Sequence, residues 1–158
     1  MVPTPQPLIR PLGPDDLPAA MQLVWQVFLA YDAADCSDEG VEEFRSTIAL
    51  PEMRARMATQ QVWLWGSFDG PCITGVIATR KPCHIMLLFV DPAFHRQGIA
   101  RALVEAVLQS YRSHTAEQTL TVNASLYAAE IYQKLGFTTS AEPQFLNGIR
   151  FVPMQRPL

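Results

Sequence analysis

LLFVDPAFHRQGIARALVEAV, residues 87–107, carries an apolar strand into a turn and out along a helix. The apolar run begins at His84 as HIMLLFV, is too dense for a half-exposed strand, and is expected to be buried on both faces. It stops at Asp91-Pro92. Beyond it, Ala102, Leu103, Ala106, Val107, Ser110 and Tyr111 mark one helical face out to about Arg112. Between strand and helix, Gly98 and Ala100 lack bulk, so backbone can approach a ligand closely. The first N–H groups of the following helix have no internal partner, which suits a phosphate or pyrophosphate. Any strand-to-helix turn can carry a glycine, so this segment needs company before it identifies anything.

Working outward, Ile9–Leu12 reads as a short strand. Gly-Pro-Asp-Asp then turns into a helix capped by Asp15 or Asp16, with Pro18 in its first turn. Leu17, Met21, Val24, Phe28 and Tyr31 give that helix its buried face. Val41, Phe44 and Ile48 mark a second helix with a boundary near Pro51. Val62–Phe68 and Ile73–Thr79 flank an Asp69-Gly70-Pro71 turn and predict an antiparallel hairpin. Downstream come a short strand at Thr119–Val122, a helix at Leu126–Leu135 closed by Gly136, and a last strand pair around Thr138 and Phe151–Met154. This order predicts a three-layer α/β fold, since helices must cover the apolar strands. Residues 1–8 form a proline-punctuated lead-in, and 9–158 a single domain.

The bulk properties exclude several classes. A chain of 158 residues with 49% apolar content buries a real core. A net charge of −3 argues against capture of nucleic acid by a basic face. No apolar stretch approaches the ~20 residues that span a bilayer, and the N-terminus lacks a secretory pattern. The three cysteines, Cys36, Cys72 and Cys83, have no paired spacing for a disulfide framework or structural zinc, so no metal site is expected. Reduced thiols and a cytoplasmic location follow. A Cys83–His84 nucleophile pair is rejected, because adjacent strand residues point to opposite faces.

A second segment, TLTVNASLYAAEIYQKLGF at 119–137, places Asn123 at a strand end and Ala128 and Tyr132 one helical turn apart, ahead of Leu135-Gly136-Phe137. Taken with H-R-Q-G-I-A at 95–100, it resembles the GNAT superfamily of acetyl-CoA-dependent N-acetyltransferases. One departure stands out: His95 occupies a position where the family usually carries Gln or Arg.

The resemblance implies a mixed, mostly antiparallel sheet in an α/β/α sandwich. It implies acetyl-CoA in an opening between strands 84–90 and 119–123, held by Leu88, Phe89, Val90, His95, Arg96, Gln97, Gly98, Ile99, Ala100, Arg101 and Asn123. The Leu88 N–H would polarise the thioester carbonyl, and Tyr132 would protonate the departing thiolate. His84 lies eleven residues before His95, where one branch of the family places its base, and an imidazole suits that task. The acids between Asp32 and Glu43, Asp35 and Glu39 in particular, are expected to wall the site of a cationic amine. The expected reaction is acetyl transfer to a primary amine of a small molecule or peptide. The rival reading is a catalytically inactive acyl-CoA-binding or sensing module of the same fold. An exposed C-terminal strand pair suits a homodimer.

Overall fold

The computed structural model describes residues 6–114 and 116–158. Residues 1–5 of the expected lead-in lie outside the described residues, and strand β1 (Leu8–Pro11) already begins at Leu8. Helix α1 (Leu17–Tyr31) follows, its Pro18 in the first turn as expected. Asp16 precedes this helix without capping it. Its carboxylate instead accepts from the Gly13 N–H at 2.8 Å and pairs with both terminal nitrogens of Arg10.

The predicted second helix is two, α2 (Asp38–Thr47) and α3 (Leu50–Ala58). Pro51 sits in the first turn of α3, where its missing N–H costs nothing, so it starts a helix rather than ending one. The hairpin β2 (Val62–Asp69) and β3 (Cys72–Arg80) forms as read, and β4 spans His84–Val90. Then come α4 (Ile99–His114), β5 (Thr119–Ala124), α5 (Ala129–Lys134), β6 (Thr138–Thr139), β7 (Gln144–Leu146) and β8 (Ile149–Pro157). Helix α5 starts three residues later than expected, after a turn over Leu126–Ala128.

The sheet runs β1-β2-β3-β4-β5-β8-β6, with β7 paired to β8. Every pairing is antiparallel except β4 with β5. On one face, α4 and α5 cover a core of Ile77, Ile85, Leu103, Val107, Leu120 and Met154. On the other, α1 and its neighbours cover Leu17, Val24, Met53, Val76 and Leu87. Leu103 is fully buried, and truncating such a residue to alanine typically costs about 2–5 kcal/mol. No described helix is long and apolar enough to cross a membrane.

Two irregularities shape the middle of the sheet. In β4, Thr79 pairs with Ile85 and Ala78 with Leu87, leaving Met86 without a partner. This bulge breaks the alternation of faces: Ile85 packs under α4, whereas Met86 and Leu87 both pack toward α1. The parallel pairing of β4 with β5 then lasts only for His84–Thr121 and Ile85–Val122. Past that point the strands part. Leu88, Phe89 and Val90 are accordingly only half-buried, where the sequence predicts burial on both faces.

Candidate functional site

Because side-chain faces and hydrogen-bonding directions alternate along a strand, the free half of β4 can be assigned group by group. The Asp91 N–H donates to the Thr74 carbonyl of the β3 side at 2.9 Å. Phe89 and Leu87 share that direction, so the backbone groups of Leu88 and Val90 point the other way, into the opening left by β5. The Val90 carbonyl is met there by His95, whose Nε2 lies 3.1 Å away and donates to it.

The turn after β4 is drawn tight by positive φ at Arg96 (64°) and Gly98 (78°). The first helical bond of α4 runs from the Ala102 N–H to the Gly98 carbonyl at 3.0 Å. The N–H groups of Ile99, Ala100 and Arg101 therefore precede the hydrogen-bonded ladder and face outward, at the positive end of the helix dipole. A Cβ added at Gly98 would meet nothing within 4 Å, so the space in front of this turn is open.

These groups border a groove of about 540 Å³. Leu88, Phe89, Val90, His95, Arg96, Gly98, Ile99, Ala100 and Arg101 all line it, as does Tyr132 from α5. Two expected members do not. Gln97 lines a separate surface groove with Trp65 and Gln109, and Asn123 lines a smaller inner chamber. Arg101 also ties the two halves of the site together, donating to the Lys134 carbonyl at the end of α5 across 3.0 Å.

The inner chamber, about 180 Å³ on the α1 side of the sheet, opens to solvent past Asp35, Asn123 and Arg150, all three exposed. Its far wall is the β7–β8 hairpin. Asn147 and Gly148 form that turn at φ 53° and 80°, and the Gly148 carbonyl accepts from the Ser37 N–H at 3.0 Å. A Cβ at Gly40 would land on the Gly148 carbonyl oxygen, so this docking depends on bare backbone at both positions. Glu39 is exposed and lines neither space.

His84 is not brought to the opening. It lines neither space, and its Nδ1 lies 2.8 Å from the Thr121 hydroxyl at the closed end of the β4–β5 seam. Burial, with Arg80 nearby, pulls its pKa down to about 4, so the ring is neutral near pH 7. Cys83 is buried in the core with its thiol pushed up to about 11 by burial, which makes it unreactive.

Tyr132 is 5% exposed and packs edge-on against Phe137 at 5.3 Å between centroids. Burial, and then the Asp32 carboxylate, push its phenol well above the ordinary range. Asp32 itself is raised by burial, opposed by Ser125 and reinforced by Asp35. Asp32 belongs to the acidic segment read from the sequence, but nothing in the spacing separates it from its neighbours. Tyr31, read from the sequence only as part of the buried face of α1, stacks on Tyr127 at 5.0 Å over the groove, and no motif pointed to either as a site residue.

A family model described as an acetyltransferase (GNAT) domain matches residues 32–158. The chain belongs to the GNAT family. Among curated GNAT-type relatives, an uncharacterized N-acetyltransferase, YafP of Escherichia coli K12, is 35% identical over 86 residues. That match takes in 54% of this chain and 51% of YafP, so the chain spans about half the length of this curated relative. Solved structures share the fold more widely. A GCN5-related N-acetyltransferase from Rhodopseudomonas palustris superposes with a TM-score of 0.83 at 22% identity, over 100% of this chain and 99% of that one. PaiA N-acetyltransferase from Thermoplasma acidophilum, in complex with coenzyme A, gives 0.78 at 16% identity over 97% and 99%. The GNAT sheet, mixed and mostly antiparallel, is thus the one expected.

Proposed function

We propose that this protein transfers the acetyl group of acetyl-CoA to a primary amine by direct attack. The observation that carries the reading is the splayed β4–β5 seam, which leads from the free N–H groups at the head of α4 to Tyr132. The residues present suit two parts of acetyl-CoA, the pyrophosphate and the pantetheine arm. The N–H groups of Ile99, Ala100 and Arg101 would bind the pyrophosphate. The cleft-facing groups of Leu88 and Val90 would pair with the pantetheine amides as an added strand. When bound, acetyl-CoA supplies the thioester.

The protein's own contributions follow from position. The Leu88 N–H would polarise the thioester carbonyl, a kind of contact worth about 3 kcal/mol at the transition state. Tyr132 stays protonated because burial and a neighbouring carboxylate both disfavour its anion. It can therefore give its proton to the departing sulfur. Asp35 and Asn123 line the space open to an amine.

Thiol release from acetyl-CoA, followed with and without a panel of amines, tests this. Amine-dependent release, with acetylated amine recovered by mass spectrometry, is the expected result. Tight CoA binding without release for any amine would instead mark an acyl-CoA sensor.

A further inference from the structure

Five residues, Asp32, Leu88, Phe89, Ala128 and Tyr132, line both the groove and the inner chamber, so the two spaces share one boundary. At that boundary the Asp32 Oδ1 is buried and has no hydrogen-bond partner among the described residues. Leaving a buried acceptor unsatisfied ordinarily costs about 1–3 kcal/mol, and more for a charged group. A donor arriving from outside the chain would remove that cost. The chamber behind is mostly apolar: Phe28, Phe44, Phe89, Phe151 and Met86 line it. Phe28 and Phe44 stack at 3.9 Å, and Phe44 meets Phe89 at 5.9 Å, which makes this wall stiff. Its volume of about 180 Å³ is that of a single-ring ligand, since a cavity of roughly 150 Å³ holds benzene.

We propose that the acceptor is a small primary amine with an apolar body of single-ring size, seated against the phenylalanine wall with its ammonium on Asp32, which takes the proton that frees the lone pair. This rests on the acetyl-transfer reading above. One N–H proton passes from the ammonium to Oδ1, leaving a neutral amine and a carboxylic acid. The lone pair forms the C–N bond as the C–S bond breaks, and the sulfur takes the Tyr132 proton. A second N–H proton then restores the tyrosine, and Asp32 releases its own to solvent. The net products are the amide, CoA thiol and one proton. Burial raises the carboxyl and so strengthens it as a base, while the other titratable groups around it are Asp35, Cys36, Tyr127 and Tyr132. Arg150 also lines the chamber, with its guanidinium 5.9 Å from the centre of the Phe145 ring.

The test compares benzylamine and 2-phenylethylamine with spermidine and a lysine-bearing peptide, using the full chain and saturating acetyl-CoA. The arylalkylamines should exceed the other two in kcat/KM by about 100-fold. Asp32→Asn, nearly isosteric, should lower kcat/KM for them by about 10²–10⁴-fold while CoA affinity by calorimetry stays within about twofold. The unchanged CoA affinity also reports that the variant is folded. Preferred turnover of spermidine or the peptide, or full activity in Asp32→Asn, overturns the proposal and leaves acetyl transfer standing. No thiol release with any amine overturns acetyl transfer itself, and this proposal with it.

Discussion

His95 donates through Nε2 to the Val90 carbonyl at 3.1 Å, across the mouth of the opening in the sheet. That carbonyl is also one of the two cleft-facing residues' acceptors offered to pantetheine. In the proposed binding mode, imidazole and cofactor would thus compete for one oxygen. His95→Gln returns the residue usual in the family, and His95→Ala vacates the carbonyl. Both variants should bind CoA at least as tightly as the parent, with His95→Ala gaining up to about tenfold, the worth of one net hydrogen bond. Titration calorimetry reads this directly. A large loss in either would mean that the ring itself contacts the cofactor.

Gly98 should tolerate a side chain in the fold and not in the complex. Its φ of 78° is one that Asp adopts at modest cost, and the added Cβ enters open space. Gly98→Asp should therefore stay folded, within about 1–2 kcal/mol of the parent. Its carboxylate would project in front of the helix terminus and repel pyrophosphate, lowering CoA affinity by at least about 100-fold. Unchanged affinity in a folded variant would move the phosphate site elsewhere.

Tyr132→Phe removes one hydroxyl and keeps the edge-on contact with Phe137. If the phenol protonates the leaving thiolate, kcat should fall by about 10²–10⁴-fold, toward the lower end because a thiolate leaves readily. CoA affinity should stay within about twofold. Full turnover in this variant would remove the acid role.

His84 predicts a pH effect on stability and none on catalysis. Its folded pKa of about 4 lies below the ordinary value of 6.5, so the unfolded chain binds its proton first as pH falls. The stability linked to this ring is complete above about pH 6.5 and is lost between there and about 4. After allowing for residual solvent contact the loss is about 1–2 kcal/mol. Urea midpoints measured from pH 7 to 4.5 should fall less steeply in His84→Gln than in the parent. Its pH–rate profile should match the parent's. A shifted rising limb would restore the ring as the base.

The strand-turn-helix at 84–114 was legible almost to the residue, because a dense apolar run, a glycine turn and a clean helical period all agree there. The hairpin at 62–80 was legible for the same reason. Pro51 was ambiguous in principle, since proline suits both the end of one helix and the first turn of the next. The Asn147-Gly148 pair carries a hairpin signal, yet the tail reads from its apolar residues as Thr138 with Phe151–Met154, and β7 goes unseen. Asp32 was not legible at all as a distinct residue. Its environment comes from the end of α1 meeting Ser125 and Tyr132, contacts separated by about a hundred positions, and no local pattern encodes them.

The bulge at Met86 and the early end of the β4–β5 pairing leave a strand edge in the interior of a sheet, where edges are ordinarily sealed. Backbone groups of this kind recruit whatever extended partner is within reach, including another copy of the same chain. Here helices flank the edge on both faces of the sheet, and the proposed binding mode gives it a slender, amide-bearing partner. In that binding mode the cofactor would act as the missing strand. An excess of CoA 100-fold above its dissociation constant adds about 2.7 kcal/mol to the folded state by mass action alone. Heat resistance would accordingly be a property shared between the chain and the nucleotide that completes its sheet.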